Sequence, residues 1–162
     1  MIELNQEMPA PNFRLPSNRG EDIRLGDFRQ RQPVVLLFLD AAESAPARAM
    51  LADFAARYAD FQEWGAEVLA IAPAPLPDAG VPFPMLVDAG GEVRARYVGD
   101  AAGPAVFVLD RFTAPYRWQV GGAFMSAADA VEWVRLSEYS CTTCDDVSSE
   151  WAFSLELMET SD

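Results

Sequence analysis

The sequence predicts a single α/β domain built on a mixed sheet, and three observations lead to that prediction. Three continuous apolar runs, Pro33–Leu39, Ala66–Ala72 and Ala105–Asp110, are typical of strands buried on both faces. A segment of helical periodicity separates the first two runs, which implies a parallel crossover between them. Tyr116–Val120 follows the third run closely and alternates as an antiparallel hairpin partner does. The length of 162 residues suits one such domain.

The first half of the chain contains two predicted strands and one long helix. Asp22–Leu25 is a short strand after a proline-punctuated segment, and Pro33–Leu39 is the first core strand. A helix of about five turns follows, with Ser44 as its N-cap and Gly65 at its end. Its apolar residues recur at spacings of three and four and should face the sheet; they are Leu51, Phe54, Tyr58 and Phe61.

The second half alternates strands with shorter helical segments. We predict strands at Ala66–Ala72, Phe83–Val87, Ala105–Asp110 and Tyr116–Val120, with a short helix at Gly90–Tyr97. Ser126–Asp129 has the spacing of a capping box and should open a last helix. The order is β, α, β, short α, β, β, α, which combines parallel crossovers with one antiparallel hairpin.

The charged residues exclude several classes of function. The net charge is -13, and all 12 basic residues are arginine. An acidic surface repels phosphate backbones and anionic lipids, so we expect no nucleic-acid and no membrane partner. Without histidine there is no Ser-His or Cys-His pair and no HExxH zinc site, and without lysine there is no Schiff base. We predict no cofactor.

The N-terminal segment and the longest apolar runs bear on location. Residues 1–8 lack the basic and apolar regions of a signal peptide, and no apolar run is long enough to span a bilayer. We therefore expect a cytoplasmic protein.

Several passages resemble the alkyl hydroperoxide reductase and thiol-specific antioxidant (AhpC/TSA) family, the peroxiredoxin form of the thioredoxin fold. Met8–Leu15 is similar to the family's opening motif, and Pro33–Leu39, Gly65–Ile71, Phe83–Asp88 and Gly103–Arg111 follow in the family's order. The likeness covers about residues 5–140. It implies a thioredoxin-like domain at residues 1–140 and a separate C-terminal tail at residues 141–162.

The resemblance also identifies a degenerate peroxidatic site. The family places a reactive cysteine in the first turn of the helix after the first core strand, and here that position is Ala47. The family's threonine corresponds to Ser44, its proline to Asp40 and its catalytic arginine to Pro104. We therefore expect no peroxide reduction at this site. In thioredoxin-like proteins a proline before the third core strand often has a cis peptide bond, which we expect for Pro104. The remaining arginines considered, Arg94 and Arg96, are expected to be solvated partners of carboxylates.

Cys141 and Cys144 form a CxxC and are the two cysteines of the chain. Three interpretations stay open: a redox dithiol, half of a metal site completed across a dimer, and a pair without function. The neighbouring Asp145 and Asp146 should raise the pKa of both thiols through like-charge repulsion. The acidic tail that follows also carries aromatic residues, including Trp151, and should dock on the domain or on a partner.

Two functions are compatible with these features. The first is a peroxiredoxin-family thiol–disulfide redox protein that acts through Cys141 and Cys144. The second is a catalytically inactive pseudo-peroxiredoxin that serves as an interaction module. The sequence identifies neither the protein partner nor the thiol reductant, and a homodimer is compatible with the resemblance.

Overall fold

The fold is built around a five-stranded sheet with helices on both faces. The computed structural model of the chain describes residues 8–40, 44–75, 80–121 and 125–139. The strands within these ranges are β1 (Arg14–Pro16), β2 (Asp22–Arg24), β3 (Val34–Phe38), β4 (Glu67–Ala72), β5 (Met85–Val87), β6 (Ala105–Leu109) and β7 (Pro115–Val120). The helices are α1 (Ala45–Ala56), α2 (Tyr58–Glu63), α3 (Glu92–Tyr97) and α4, which covers residues 127–139. Leu25–Phe28 forms a single 3-10 turn.

The sheet has the strand order β5-β4-β3-β6-β7, with β1 and β2 forming a separate two-stranded ladder. Strand β3 pairs in parallel with β4 and in antiparallel with β6, and β6 and β7 form the predicted hairpin. The expected mixed α/β sheet is therefore confirmed, and the four main predicted strands are neighbours.

Strand β3 is buried on both faces because each face has its own core. Val35 and Leu37 belong to the cluster that α1, α2 and α4 cover, whereas Val34, Leu36 and Phe38 belong to the cluster under β1, β2 and α3. The alternation of side chains across a strand explains why the run is apolar throughout.

The predicted five-turn helix is wrong in one respect, since it breaks at Arg57 into α1 and α2. The predicted apolar stripe nevertheless faces the core. The rings of Phe54 and Phe61 stack with centroids 5.6 Å apart. Residues seven apart on a straight helix are about 10.5 Å apart along its axis. In this chain the break at Arg57 accompanies the packing of the two rings.

Helix α4 begins as the capping box predicts, with a second contact from α1. The backbone N–H of Asp129 donates to Ser126 Oγ at 3.1 Å. The N–H of Ala127 donates to Asp53 Oδ2 at 2.8 Å, so a carboxylate of α1 satisfies a free donor at the start of α4. Among the described residues, no helix combines the length and the apolar composition needed to cross a membrane.

We predict that Asp53→Ala lowers the free energy of unfolding by about 1 kcal/mol, because it removes a carboxylate acceptor from the start of α4. Urea unfolding followed by circular dichroism measures the change. Glu63→Ala is the control, since the Glu63 side chain is exposed and makes no hydrogen bond or ion pair within the described residues. Equal stability of the two variants would contradict the proposed cap.

Candidate functional site

The four degenerate positions meet where β3 ends and β6 begins. Phe38 pairs with Ala105, so the residues that follow β3 lie beside those that precede β6. Asp40 and Ser44 follow β3, and Ala47 lies in the first turn of α1. Pro104 precedes β6 and is buried. The antiparallel register therefore brings together positions that are far apart in the chain.

Ser44 is the N-cap of α1, as the sequence predicts. Its Oγ accepts a hydrogen bond from the N–H of Ala47 at 3.1 Å and donates one to Asp40 Oδ1, also at 3.1 Å. The hydroxyl is therefore held between the helix N-terminus and a carboxylate. The helix dipole would stabilise a thiolate in the first turn of α1, but the negative charge of Asp40 would oppose that stabilisation.

Ala47 is fully buried and packs in the same core cluster as Leu37 and Met50. A methyl group has neither a lone pair nor an acidic proton, so this position can neither attack a peroxide nor form a disulfide. No cysteine occurs within residues 8–40, 44–75, 80–121 or 125–139. The described site therefore contains no thiol.

Arg94 is the residue of this region that the sequence interpretation missed. Its Nη2 donates to the carbonyl oxygens of Ala101 at 3.1 Å and Gly103 at 2.6 Å. Its Nη1 is buried without a hydrogen-bond partner among the described residues. The expectation that Arg94 is a solvated partner of a carboxylate is therefore wrong in its hydrogen bonding, which goes to backbone carbonyls, while the carboxylate of Asp40 acts on it through charge. The guanidinium instead holds the turn before Pro104.

The charge of Arg94 is coupled to Asp40. Burial lowers the pKa of the Arg94 guanidinium, and the negative charge of Asp40 opposes part of that change. Both residues line a cavity of about 40 Å³ at the ends of β3 and β4, together with Asp88. A carboxylate of Asp88 accepts from the N–H of Arg94 at 2.9 Å, which fixes the start of α3 against this cavity. An arginine of α3 thus lies in the same cavity lining as Asp40, while position 104 is proline.

The expected cis peptide bond at Pro104 is wrong, since none of the described residues has one. Gly103 adopts a φ of 91°, a left-handed conformation that glycine adopts without strain. The turn into β6 is therefore made by Gly103, and the Arg94 contacts to its carbonyl hold that turn in place.

Of the other residues that the sequence singled out, the structure describes Arg96 but not the two cysteines. The guanidinium of Arg96 is exposed and donates to the carbonyl of Asn12 at 3.2 Å, so it too does not pair with a carboxylate. Cys141 and Cys144 lie outside the described residues, as does Trp151. The last described residue, Tyr139, contacts Trp64 at the end of α2, with ring centroids 6.4 Å apart.

The strand order, the flanking helices and the site at the start of α1 define a thioredoxin-fold protein of the peroxiredoxin type. The AhpC/TSA family model matches residues 7–113, and the chain belongs to this family. Two Mycobacterium tuberculosis proteins whose names assign them to the peroxiredoxins, Rv2521 of strain H37Rv and MT2597 of strain CDC 1551, are each 35% identical over 95 residues. That match covers 54% of this chain and 60% of the length of either relative.

Solved structures agree with this fold. The crystal structure of peroxidoxin BcpB from Mycobacterium tuberculosis matches with a TM-score of 0.71 and 22% identity, over 83% of this chain and 98% of that one. A Chlorobium tepidum protein assigned by name to the thiol:disulfide interchange proteins of the DsbE type matches with a TM-score of 0.68 and 26% identity. That match covers 83% of this chain and 98% of the DsbE-type chain.

We predict that Ala47→Cys restores little peroxide reduction, because Asp40 opposes formation of the thiolate. The variant is made in a Cys141→Ser/Cys144→Ser background, so that alkylation by iodoacetamide as a function of pH measures the pKa of one thiol. Adding Asp40→Asn should lower that pKa by about one unit. Asp27→Asn is the control, since Asp27 precedes the opposite end of β3. Fast peroxide consumption by the cysteine variant alone would contradict the prediction.

Proposed function

We propose that this chain is a thiol–disulfide redox protein of the AhpC/TSA family that reacts through Cys141 and Cys144 and not at the start of α1. One observation supports this assignment above the others: Ala47 occupies the first turn of α1 and is packed in the core. The CxxC then supplies the thiols of the chain. The DsbE-type structural neighbour is consistent with thiol–disulfide exchange on this fold.

The proposed reaction exchanges a disulfide with a partner. The thiolate of one cysteine attacks a sulfur of the partner's disulfide, which forms a mixed disulfide and releases a partner thiolate. The second cysteine of this chain, after losing its proton, attacks the sulfur that the first cysteine contributes to the mixed disulfide. This attack displaces the second partner thiolate. Cys141 and Cys144 lose two electrons and two protons, which the partner gains as a dithiol.

The position of α4 is compatible with a CxxC that reacts away from the start of α1. Tyr139 contacts Trp64 at the end of α2, whereas Ala47 lies in the first turn of α1. The CxxC begins two residues after Tyr139, and Tyr139 lies beside the end of α2. A cytoplasmic location, in which thiols are kept reduced, would make such a pair reversible.

We predict that Cys141 and Cys144 form a reversible disulfide with modest reactivity. The loop between them is short, so the disulfide gains little from chain entropy and should be readily reduced. Asp145 and Asp146 should keep both thiols mostly protonated at neutral pH. Equilibration in graded glutathione buffers, read by mass spectrometry of the alkylated chain, measures the fraction oxidised.

Single variants give the control for this experiment. Cys141→Ser and Cys144→Ser should each abolish the intramolecular disulfide and leave a mixed disulfide with glutathione. A pair that stays reduced under mild oxidant, or that binds stoichiometric zinc, would contradict the redox proposal. Zinc binding would instead favour a site shared between two chains.

The alternative function is an interaction module without redox chemistry. The observation that favours it is the hydrogen bonding at the start of α1, where Ser44 bonds to Asp40 and to the N–H of Ala47. The cap of α1 is therefore complete without a ligand, although Arg94 Nη1 in the same region has no hydrogen-bond partner among the described residues. A homodimer of this module is compatible with the same observation.

We predict negligible consumption of hydrogen peroxide by the intact chain, measured with a ferrous–xylenol orange assay under excess dithiothreitol. The reason is the absence of a thiol at position 47. Cys141→Ser/Cys144→Ser should not lower the residual rate by more than about twofold. A rapid rate that survives this double substitution would reveal a peroxidatic group outside both proposed sites.

A further inference from the structure

A second pocket lies between the β1–β2 ladder and α3. Its volume is about 460 Å³, and three arginines line it: Arg14, Arg24 and Arg96. Asp40, Ser44, Ala47, Arg94 and Pro104 do not line it, so it is separate from the α1 site, although Asp88 borders both cavities. The volume lies in the range of sites for small molecules, roughly 300–1,000 Å³.

Two of the arginines are in direct cross-strand opposition. Arg14 pairs with Arg24 in the antiparallel register of β1 and β2. Directly opposed residues project from the same face of a ladder, and both side chains are exposed. Like charges in this position destabilise a strand pair. An anion bound between them would remove that repulsion.

The hydrogen bonding of the three guanidinium groups leaves donors available. Arg14 Nε bonds to Asp22 Oδ2 at 2.9 Å, and Arg96 Nη1 donates to the carbonyl of Asn12 at 3.2 Å. Within the described part of the chain, the Arg24 guanidinium makes no hydrogen bond and no ion pair. Since a guanidinium carries five N–H donors, Arg24 and Arg96 keep most of theirs free for a ligand.

The carboxylates around the pocket compensate this positive charge in part. Asp22 pairs with Arg14, and Asp88 accepts the N–H of Arg94 at 2.9 Å. Glu92 is the remaining acid of the lining and is exposed. The net charge of -13 is spread over the whole chain, and charges beyond about 8 Å are largely screened at physiological salt. Three arginines thus face three carboxylates here, and Arg24 and Arg96 are the arginines of the lining whose guanidinium groups pair with none of these carboxylates among the described residues.

We propose that this pocket binds a small oxyanion, the phosphate or carboxylate group of a small molecule, with Arg24 and Arg96 as its main donors. The planar guanidinium matches both groups through paired N–H donors. Arg24 approaches from β2 and Arg96 from α3, so the ligand would bridge the ladder and the helix. This site is independent of the proposed cysteine chemistry.

The test titrates the full chain, labelled with ¹⁵N, with inorganic phosphate and in parallel with acetate at low ionic strength. Saturable shifts of the Arg24 and Arg96 amide signals with either anion are expected, and the preferred anion identifies the group recognised. Arg24→Gln should weaken binding by about tenfold or more. Raising NaCl should weaken binding as well.

Two further variants complete the experiment. Arg31→Gln is the matched control and should bind as the parent chain does, because Arg31 is exposed and outside the pocket. Cys141→Ser/Cys144→Ser should also bind normally, which separates this proposal from the redox one. Arg24→Gln should be no less stable than the parent chain, because it relieves repulsion. Linear shifts without saturation, or equal binding by Arg24→Gln, would overturn the proposal.

Discussion

Strand β3 makes backbone hydrogen bonds along both of its edges, in parallel with β4 and in antiparallel with β6. This double pairing puts β3 at the centre of the sheet, where its alternating side chains face one core on each side and are therefore all apolar. It also fixes the site. The end of β3 meets the start of β6 because Phe38 and Ala105 are in register, so Asp40 and Pro104 are brought to the same edge.

Much of this arrangement could be predicted from local patterns. A strand buried on both faces has to be apolar throughout, and the N-cap role of Ser44 follows from the preference of helix starts for a side-chain acceptor. The break at Arg57 could not be predicted in this way, since it involves neither proline nor glycine. It accompanies the stacking of Phe54 on Phe61, a tertiary contact that helical periodicity does not indicate.

Arg94 shows why the site was harder to predict than the fold. Sequence spacing within α3 indicates only which face of the helix a residue occupies. An arginine on a short helix is ordinarily exposed to solvent, so its position in the sequence did not mark Arg94 as part of the site. Its function depends on the turn at residues 101–103, whose carbonyl oxygens approach the guanidinium from a different part of the chain. The trans bond before Pro104 lies in the same turn. The pairing of Arg14 with Arg24 likewise can be recognised only from the strand register.

Helix α1 connects the degenerate site to the segment proposed to carry the chemistry. Its first turn contains Ala47, and one side chain further along, Asp53, holds the start of α4. Helix α4 covers residues 127–139 and therefore extends about 20 Å from that contact. Tyr139 then packs near Trp64, at the end of α2. Under the proposed function, the cysteine pair that follows α4 in the chain would exchange disulfides without a reactive group in the first turn of α1. Ala47 is compatible with that function, because Tyr139, the last described residue of α4, packs at the end of α2, whereas Ala47 lies at the start of α1.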